Sequence, residues 1–216
     1  FGRPVRVVYS REDVVRLGPK RAPIAAVAID RGGTVEIEGV VARGAEPRSW
    51  PAVVPVAAHW TEVDVAGPPV GPELRAAGMA EQAMLVAGAL GRNEQVVTPT
   101  GARARAEVAS GRIGVEVAAG EPLDDVVLRS YAIGAAHMAY SWVTSEGLAV
   151  DPATGEIHDL TIRSFGVLRA SETPPIDVTI VDEPGPPQAR SADAVFAAVA
   201  AATWLSLGCP DTLPHR

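Results

Sequence analysis

The side chains that do chemistry are few in this sequence, and their spacing argues against most of it. Four histidines stand at positions 59, 137, 158 and 215. No two share the four-residue helical spacing that lets a pair grip zinc from one face. His137 falls inside a helical run, where local packing or hydrogen bonding accounts for it. His158 precedes Asp159, but neighbours on a strand point to opposite faces, which weakens them as an acid–base pair. Cys209 is the single cysteine, and one thiol builds neither an internal disulfide nor a cysteine-held zinc or iron–sulfur site within one chain. Ser130 and Ser141 lie in a helical run without the Gly-x-Ser-x-Gly turn that activates a hydrolase serine. The glycine-rich runs GPPVGPE and GARARAEVASG lack the strand–turn–helix setting of a phosphate cradle and read as turns. Three arginines, Arg163, Arg169 and Arg190, flank an irregular stretch and the loop after the last strand. They are candidates for an anionic ligand or a partner's carboxylate, with solvated or locally salt-bridged arginines as the plainer reading.

The composition narrows the classes further. With 216 residues, 47% hydrophobic and 21% charged, the chain can bury a sizeable core and reads as globular. A formal charge of −7 argues against nucleic acid, whose phosphates demand a positive face. No apolar run approaches the roughly 20 residues of a membrane helix. Lys20 is the only lysine among 19 basic residues, a bias expected of a GC-rich bacterial genome rather than of an arginine code for phosphate. The sequence opens on Phe1 rather than Met and shows no signal-peptide pattern. A reducing cytoplasm is the expected compartment.

The elements that must position these residues follow from periodicity. Strands are predicted over Val5–Tyr9, Ile24–Ile29, Thr34–Ala42, Val53–Val56 and His59–Val65, with a hairpin turn at Arg31-Gly32-Gly33. Helical patterning covers Glu73–Leu90, between Pro72 and Gly91. A hairpin joins Ala102–Ala109 to Arg112–Ala118 through Ser110-Gly111. A second helix, capped by Asp124 or Asp125, runs to about Ser145 with an expected apolar stripe of Val127, Leu128, Tyr131, Met138 and Trp142. The third helix, Ala192–Leu207, is almost uniformly apolar and reads as core, capped by Ser191 or Asp193 and stopped by Gly208 and Pro210. Trp142 and Phe196 are expected to meet between the last two helices. The whole is predicted to be α+β, a mainly antiparallel sheet with about three helices on one face. One compact domain over residues 1–216 is expected, with two similar lobes, 1–95 and 96–216, as the alternative. The Leu-Arg pairs at Leu74-Arg75 and Leu128-Arg129 hint at that repeat.

Residues 123–182 add a specific signature: a long helix, a short strand, the turn Asp151-Pro152-Ala153-Thr154-Gly155, an extended arm and the closing PPIxVxIV strand. This order resembles the molybdenum-binding subunit of xanthine dehydrogenases and aldehyde oxidases. The opening Gly2-Arg3-Pro4-Val5, Ser10-Arg11-Glu12-Asp13 and Gly18-Pro19-Lys20-Arg21-Ala22-Pro23 is similar to the start of the same family. The resemblance implies part of that subunit's molybdenum-cofactor-binding fold and an oxidoreductase ancestry. In the family a glutamate in a G-x-G-E turn, between the P-x-I-x-V strand and the last helix, takes a proton from the metal-bound hydroxyl. This sequence has Glu183-Pro184-Gly185-Pro186-Pro187-Gln188-Ala189-Arg190-Ser191 there, with no GxGE, and Glu183 stands before the loop. No catalytic residue is therefore assigned. The family's Gln-Gly loop for the pterin is also absent, and Arg75-Ala76-Ala77-Gly78-Met79-Ala80-Glu81 is the nearest counterpart of its R-x-x-G-x-x-E segment. No cofactor-binding or metal residue is assigned, and no cofactor is expected in this chain alone.

The expected role is a non-catalytic subunit or interaction module. Alternatives are a piece of a molybdenum-dependent oxidoreductase whose cofactor half comes from another chain, and a small-molecule binding protein. Candidate ligand or partner contacts are Arg75, Arg163, Phe165, Arg169 and Arg190. The arm Leu160–Pro175, with Ile162, Phe165, Val167 and Leu168, is expected to meet a second copy or a molybdenum-hydroxylase-type subunit, with folding back over the chain's own helices as the alternative.

Overall fold

The computed structural model describes residues 24–43, 54–64, 77–147, 151, 153–154 and 165–213. The expected strand at 5–9 and the resemblance at 1–23 lie outside them. Two sheets and three α-helices are formed among the described residues.

The first sheet begins with β1 (Ile24–Arg31) and β2 (Thr34–Ala42), an antiparallel hairpin closed by Gly32-Gly33. Both glycines have positive φ, 63° and 95°, which a two-residue hairpin turn demands and glycine supplies without strain. The backbone N–H of Gly33 is further satisfied by Asp30 Oδ1 at 2.8 Å. β3 (Val56–Val63) adds parallel to β2. It replaces the two short strands expected over 53–56 and 59–65. Its inward Trp60 covers Gly39, where even a Cβ would stand 2.5 Å from the indole.

The second sheet repeats this plan. β4 (Val96–Val97) pairs with β5 (Arg103–Ala109), and β5 forms a tight hairpin with β6 (Arg112–Ala118). β7 (Ile176–Ile180) then runs parallel to β6. In each sheet a hairpin is followed by a third, parallel strand and then a helix: α1 (Ala77–Leu90) after β3, and α3 (Ser191–Ser206) after β7. The helix topologically equivalent to α1 is therefore α3. The Leu-Arg match had pointed instead to α2 (Asp125–Thr144), which is inserted between β6 and β7.

The α+β class is as expected, with two mixed sheets in place of one. α1 is apolar on two sides because it serves two cores. Val86, with Leu85, Ala89 and Leu90, faces Val35 and Ile37 of the first sheet, while Met79, Ala80, Met84 and Ala87 face the second core. α3 lies at the centre, buried continuously from Ala194 to Thr203, which explains a sequence with no polar period. Its alanines permit close approach by neighbours. Gly88 of α1 does likewise, since a Cβ there would sit 2.8 Å from Trp204.

α2 starts as expected. Asp124 Oδ1 accepts from the N–H groups of Val126 at 2.8 Å and Val127 at 3.1 Å, satisfying two of the donors a helix start leaves open. Its buried face was the expected one only in part. Leu128, Ala132, Ala135, Ala136, Ala139, Ser141 and Val143 are buried, whereas Val127, Tyr131 and Met138 are exposed by 49%, 65% and 44%. Trp142 does reach the core and stacks against Phe196 with ring centroids 5.5 Å apart. The start of α3 also differs from expectation. Arg190, at a left-handed φ of 66°, holds the cap position without a side-chain cap bond, and Ser191 is already helical.

Candidate functional site

The loop from Val181 to Arg190 links β7 to α3, so the fold delivers it to the end of the second sheet. Val181 N–H extends the parallel ladder to Val117 O at 2.8 Å. Beyond it the loop folds over the ends of β5 and β6. Glu121 N–H donates to Gly185 O at 3.0 Å, Gln188 N–H donates to Ala119 O at 2.8 Å, and Thr100 Oγ donates to Ala189 O. Two glycines make this seating possible. Gly101 has φ +94° and its face is filled by the Gln188 amide at 3.3–3.5 Å from the position of a Cβ. Gly120 has φ +66°, and Pro186 O lies 2.2 Å from where its Cβ would be.

Glu183, the carboxylate nearest to the base position implied by the resemblance, is ion-paired with Arg103. Its second oxygen, Oε2, is buried with no hydrogen-bond partner, and so is Gln188 Oε1. A base must meet its substrate's proton within hydrogen-bonding reach. This carboxylate instead points one oxygen at an arginine and buries the other. Both glycine openings at this end of the sheet are filled by the chain's own loop, and Arg103 is paired with Glu183. Sequence reading missed Gly101, Arg103, Gly120 and Gln188. The signals were a glycine just before β5, which had been read as part of a turn, and another just after β6, on which no reading had been placed.

The predicted contact residues do not assemble into one site. Arg75 and Arg163 lie outside the described residues, as do His158 and His215. Arg190 is ion-paired with Asp193 at 2.7 Å. Arg169 is exposed on the arm, where its backbone N–H donates to Glu172 Oε2 at 2.9 Å. His137 Nδ1 lies 2.8 Å from Thr173 Oγ1, a partner 36 residues on in the chain rather than a neighbour within the helix. Among the described residues no three His, Cys, Asp or Glu side chains come together as a metal site. Burial raises the Cys209 thiol above its ordinary pKa, which disfavours the reactive thiolate. At the start of the Asp151 turn, backbone N–H bonds from Thr154 and Ala153 lower the Asp151 carboxyl.

The described part of the arm, 165–175, takes the alternative course and lies along α2. It is not continuously extended, having one 3-10 turn at Ala170–Glu172. Gly147 N–H donates to Phe165 O at 2.8 Å, Ser145 Oγ to Gly166 O at 2.5 Å, and Leu168 N–H to Ser141 Oγ at 3.0 Å. Phe165 and Leu168 are thereby half-buried within the chain. The exposed apolar surface lies instead on the N-terminal half of α2 and just before it, at Leu123 (93%), Val126 (77%), Val127 and Tyr131. Spacings of three and four place them beside Ser130 and Gly134 on the solvent side of the helix. No helix of the described residues is long and apolar enough to cross a membrane.

No protein-family model matches the chain, and no curated protein matches it. Several solved structures are similar to it, among them the following three. A Cu,Mo-CO dehydrogenase in its carbon monoxide-reduced state has 13% identity and a TM-score of 0.36, over 88% of this chain and 34% of that one. A reconstituted CO dehydrogenase from Oligotropha carboxidovorans has 11% identity and a TM-score of 0.37, over 88% and 34%. Quinoline 2-oxidoreductase from Pseudomonas putida 86 has 14% identity and a TM-score of 0.40, over 89% and 37%. This chain spans about a third of the length of each.

Proposed function

We propose that this chain is a non-catalytic homologue of the xanthine dehydrogenase/aldehyde oxidase molybdenum-binding subunit, acting as an interaction module. The motifs in residues 123–182 support the ancestry. The seating of the 183–190 loop carries the non-catalytic reading: Glu183 is held by Arg103, and Pro186 occupies the opening at Gly120. The same seating counts against a second chain completing a cofactor site at this end of the sheet, because the loop would first have to leave. Protein purified from its native host is expected to carry no stoichiometric molybdenum and no pterin. Elemental analysis, with fluorescence of the oxidised pterin, tests this. One molybdenum per chain would overturn the reading.

The surface for the interaction is the open half of α2. Leu123, Val126, Val127 and Tyr131 expose apolar side chains to water on one side of α2, and exposed apolar patches mark contacts with another chain. The other subunit is a second copy in the simplest case, since closed two-fold pairs are the commonest oligomers. The intact chain at micromolar concentration is expected to scatter light as a pair, and Tyr131→Glu to return it to a folded monomer whose melting temperature is lower only by the lost association. A wild-type monomer with no partner co-purifying from the native host would remove the support for an interaction module.

A further inference from the structure

We propose that the end of the second sheet beneath the 183–190 loop is a binding site for a small oxyanion, a phosphate or carboxylate group, which the loop's own oxygens hold closed as an internal substitute. The contact between loop and sheet is sorted by donor and acceptor. Three donors belong to the sheet end: the Arg103 guanidinium at the start of β5, the Thr100 hydroxyl before it, and the Glu121 N–H beyond β6. Each is taken by an oxygen of the loop. Arg103 donates to Glu183 Oε1, Glu121 N–H to Gly185 O at 3.0 Å, and Thr100 Oγ to Ala189 O. One bond runs the other way, from Gln188 N–H to Ala119 O at 2.8 Å. A guanidinium with a backbone N–H and a hydroxyl beside it is the donor set that recognises phosphate and carboxylate oxygens.

Glycine sets the space around these donors. Gly101 follows Thr100 and Gly120 precedes Glu121, and the loop lies where their side chains would be, with the Gln188 amide at 3.3–3.5 Å and Pro186 O at 2.2 Å. Once the loop withdraws, bare backbone is left on both sides, which lets an anion approach N–H groups that a side chain would screen. Withdrawal also removes Glu183 and leaves the charge of Arg103 unneutralised. Arg105, two residues along β5 and on the same face, already stands opposite Glu116. The loop is suited to moving: seven of the ten residues from Val181 to Arg190 are exposed, so little burial is lost when it opens. A tethered carboxylate competes at high effective concentration. The wild type is therefore mostly closed and binds an external anion weakly, and removal of the internal competitor strengthens binding.

Titration of the full chain with inorganic phosphate, at constant ionic strength balanced by chloride, tests the site. Glu183→Gln keeps the size of the side chain and loses the competing charge, and is expected to bind phosphate more tightly than the wild type by a factor of about ten or more. Arg103→Gln in the same background should abolish that gain. In the wild type phosphate selects the open loop, so the Gln188 amide, now bonded to Ala119 O, should exchange with solvent severalfold faster as phosphate is added. The Val115 amide in β6 should not change, nor should chloride reproduce the effect. Acetate separates the two sources: a carboxylate site binds it with the same dependence on Glu183 and Arg103, and a site that takes phosphate alone does not. Equal affinities of wild type and Glu183→Gln for both anions would overturn the proposal, as would binding that survives Arg103→Gln. Where Glu183→Gln fails to fold, the wild-type exchange decides, and a Gln188 rate indifferent to both anions overturns it.

Discussion

Trp142→Ala and Phe196→Ala are each expected to lower the free energy of unfolding by about 3–5 kcal/mol, the range for truncating large buried aromatics. The two rings, 5.5 Å apart and tilted by 32°, join α2 to α3. α3 packs against α1, α2, β4, β5 and β6, so a cavity at this junction cannot close by shifting a peripheral element. Phe196 is 6% exposed, and its loss should fall at the upper end of the range. The double variant should cost less than the sum of the two, by about 0.5–1.5 kcal/mol, because the ring–ring contact is lost only once. Chemical denaturation midpoints measure all three. An unchanged midpoint for Trp142→Ala would mean that α2 does not dock on α3 through this face.

The second large effect is expected at Gly120. Alanine there must adopt a φ of +66° and place its Cβ 2.2 Å from Pro186 O. Both terms oppose folding, together by about 2–5 kcal/mol. Gly111 provides the comparison, since it has a φ of +70° but nothing within 4 Å of a Cβ. Gly111→Ala should therefore show only the backbone strain, about 1 kcal/mol. If the two variants melt alike, the 183–190 loop does not press on Gly120. If Gly120→Ala melts much lower, the loop is seated as described, and the Glu183–Arg103 pair is seated with it.

Several features of this protein were decided by its sequence alone. The hairpin at Gly32-Gly33, the cap at Asp124 and the stop at Gly208 are local: each depends on a few adjacent residues whose allowed φ or hydrogen-bonding oxygen leaves little choice. The burial of α3 was equally legible, because a helix apolar on every side has no solvent face to offer. The lack of a GxGE turn before α3 was likewise visible in the residues.

Tertiary structure decided the rest. The helical period of α2 was correct, and Leu128 and Trp142 marked the core side, but Val127, Tyr131 and Met138 did not. The core side is alanine because α2 must lie close against α3, and small residues allow that approach, so Tyr131 and Met138 were left to water. Hydrophobicity alone does not separate a large side chain facing a partner from one facing the core. Parallel pairing of β3 with β2 and of β7 with β6 was also beyond the sequence, as it joins strands across long connections. The fate of Glu183 depended on Arg103, 80 residues away in the chain, and the arm's course on Ser141 and Ser145 of a helix it follows in sequence. Local residue chemistry sets turns, caps and periods; which side of a helix is covered, and which carboxylate is already spoken for, is set by what the fold brings alongside.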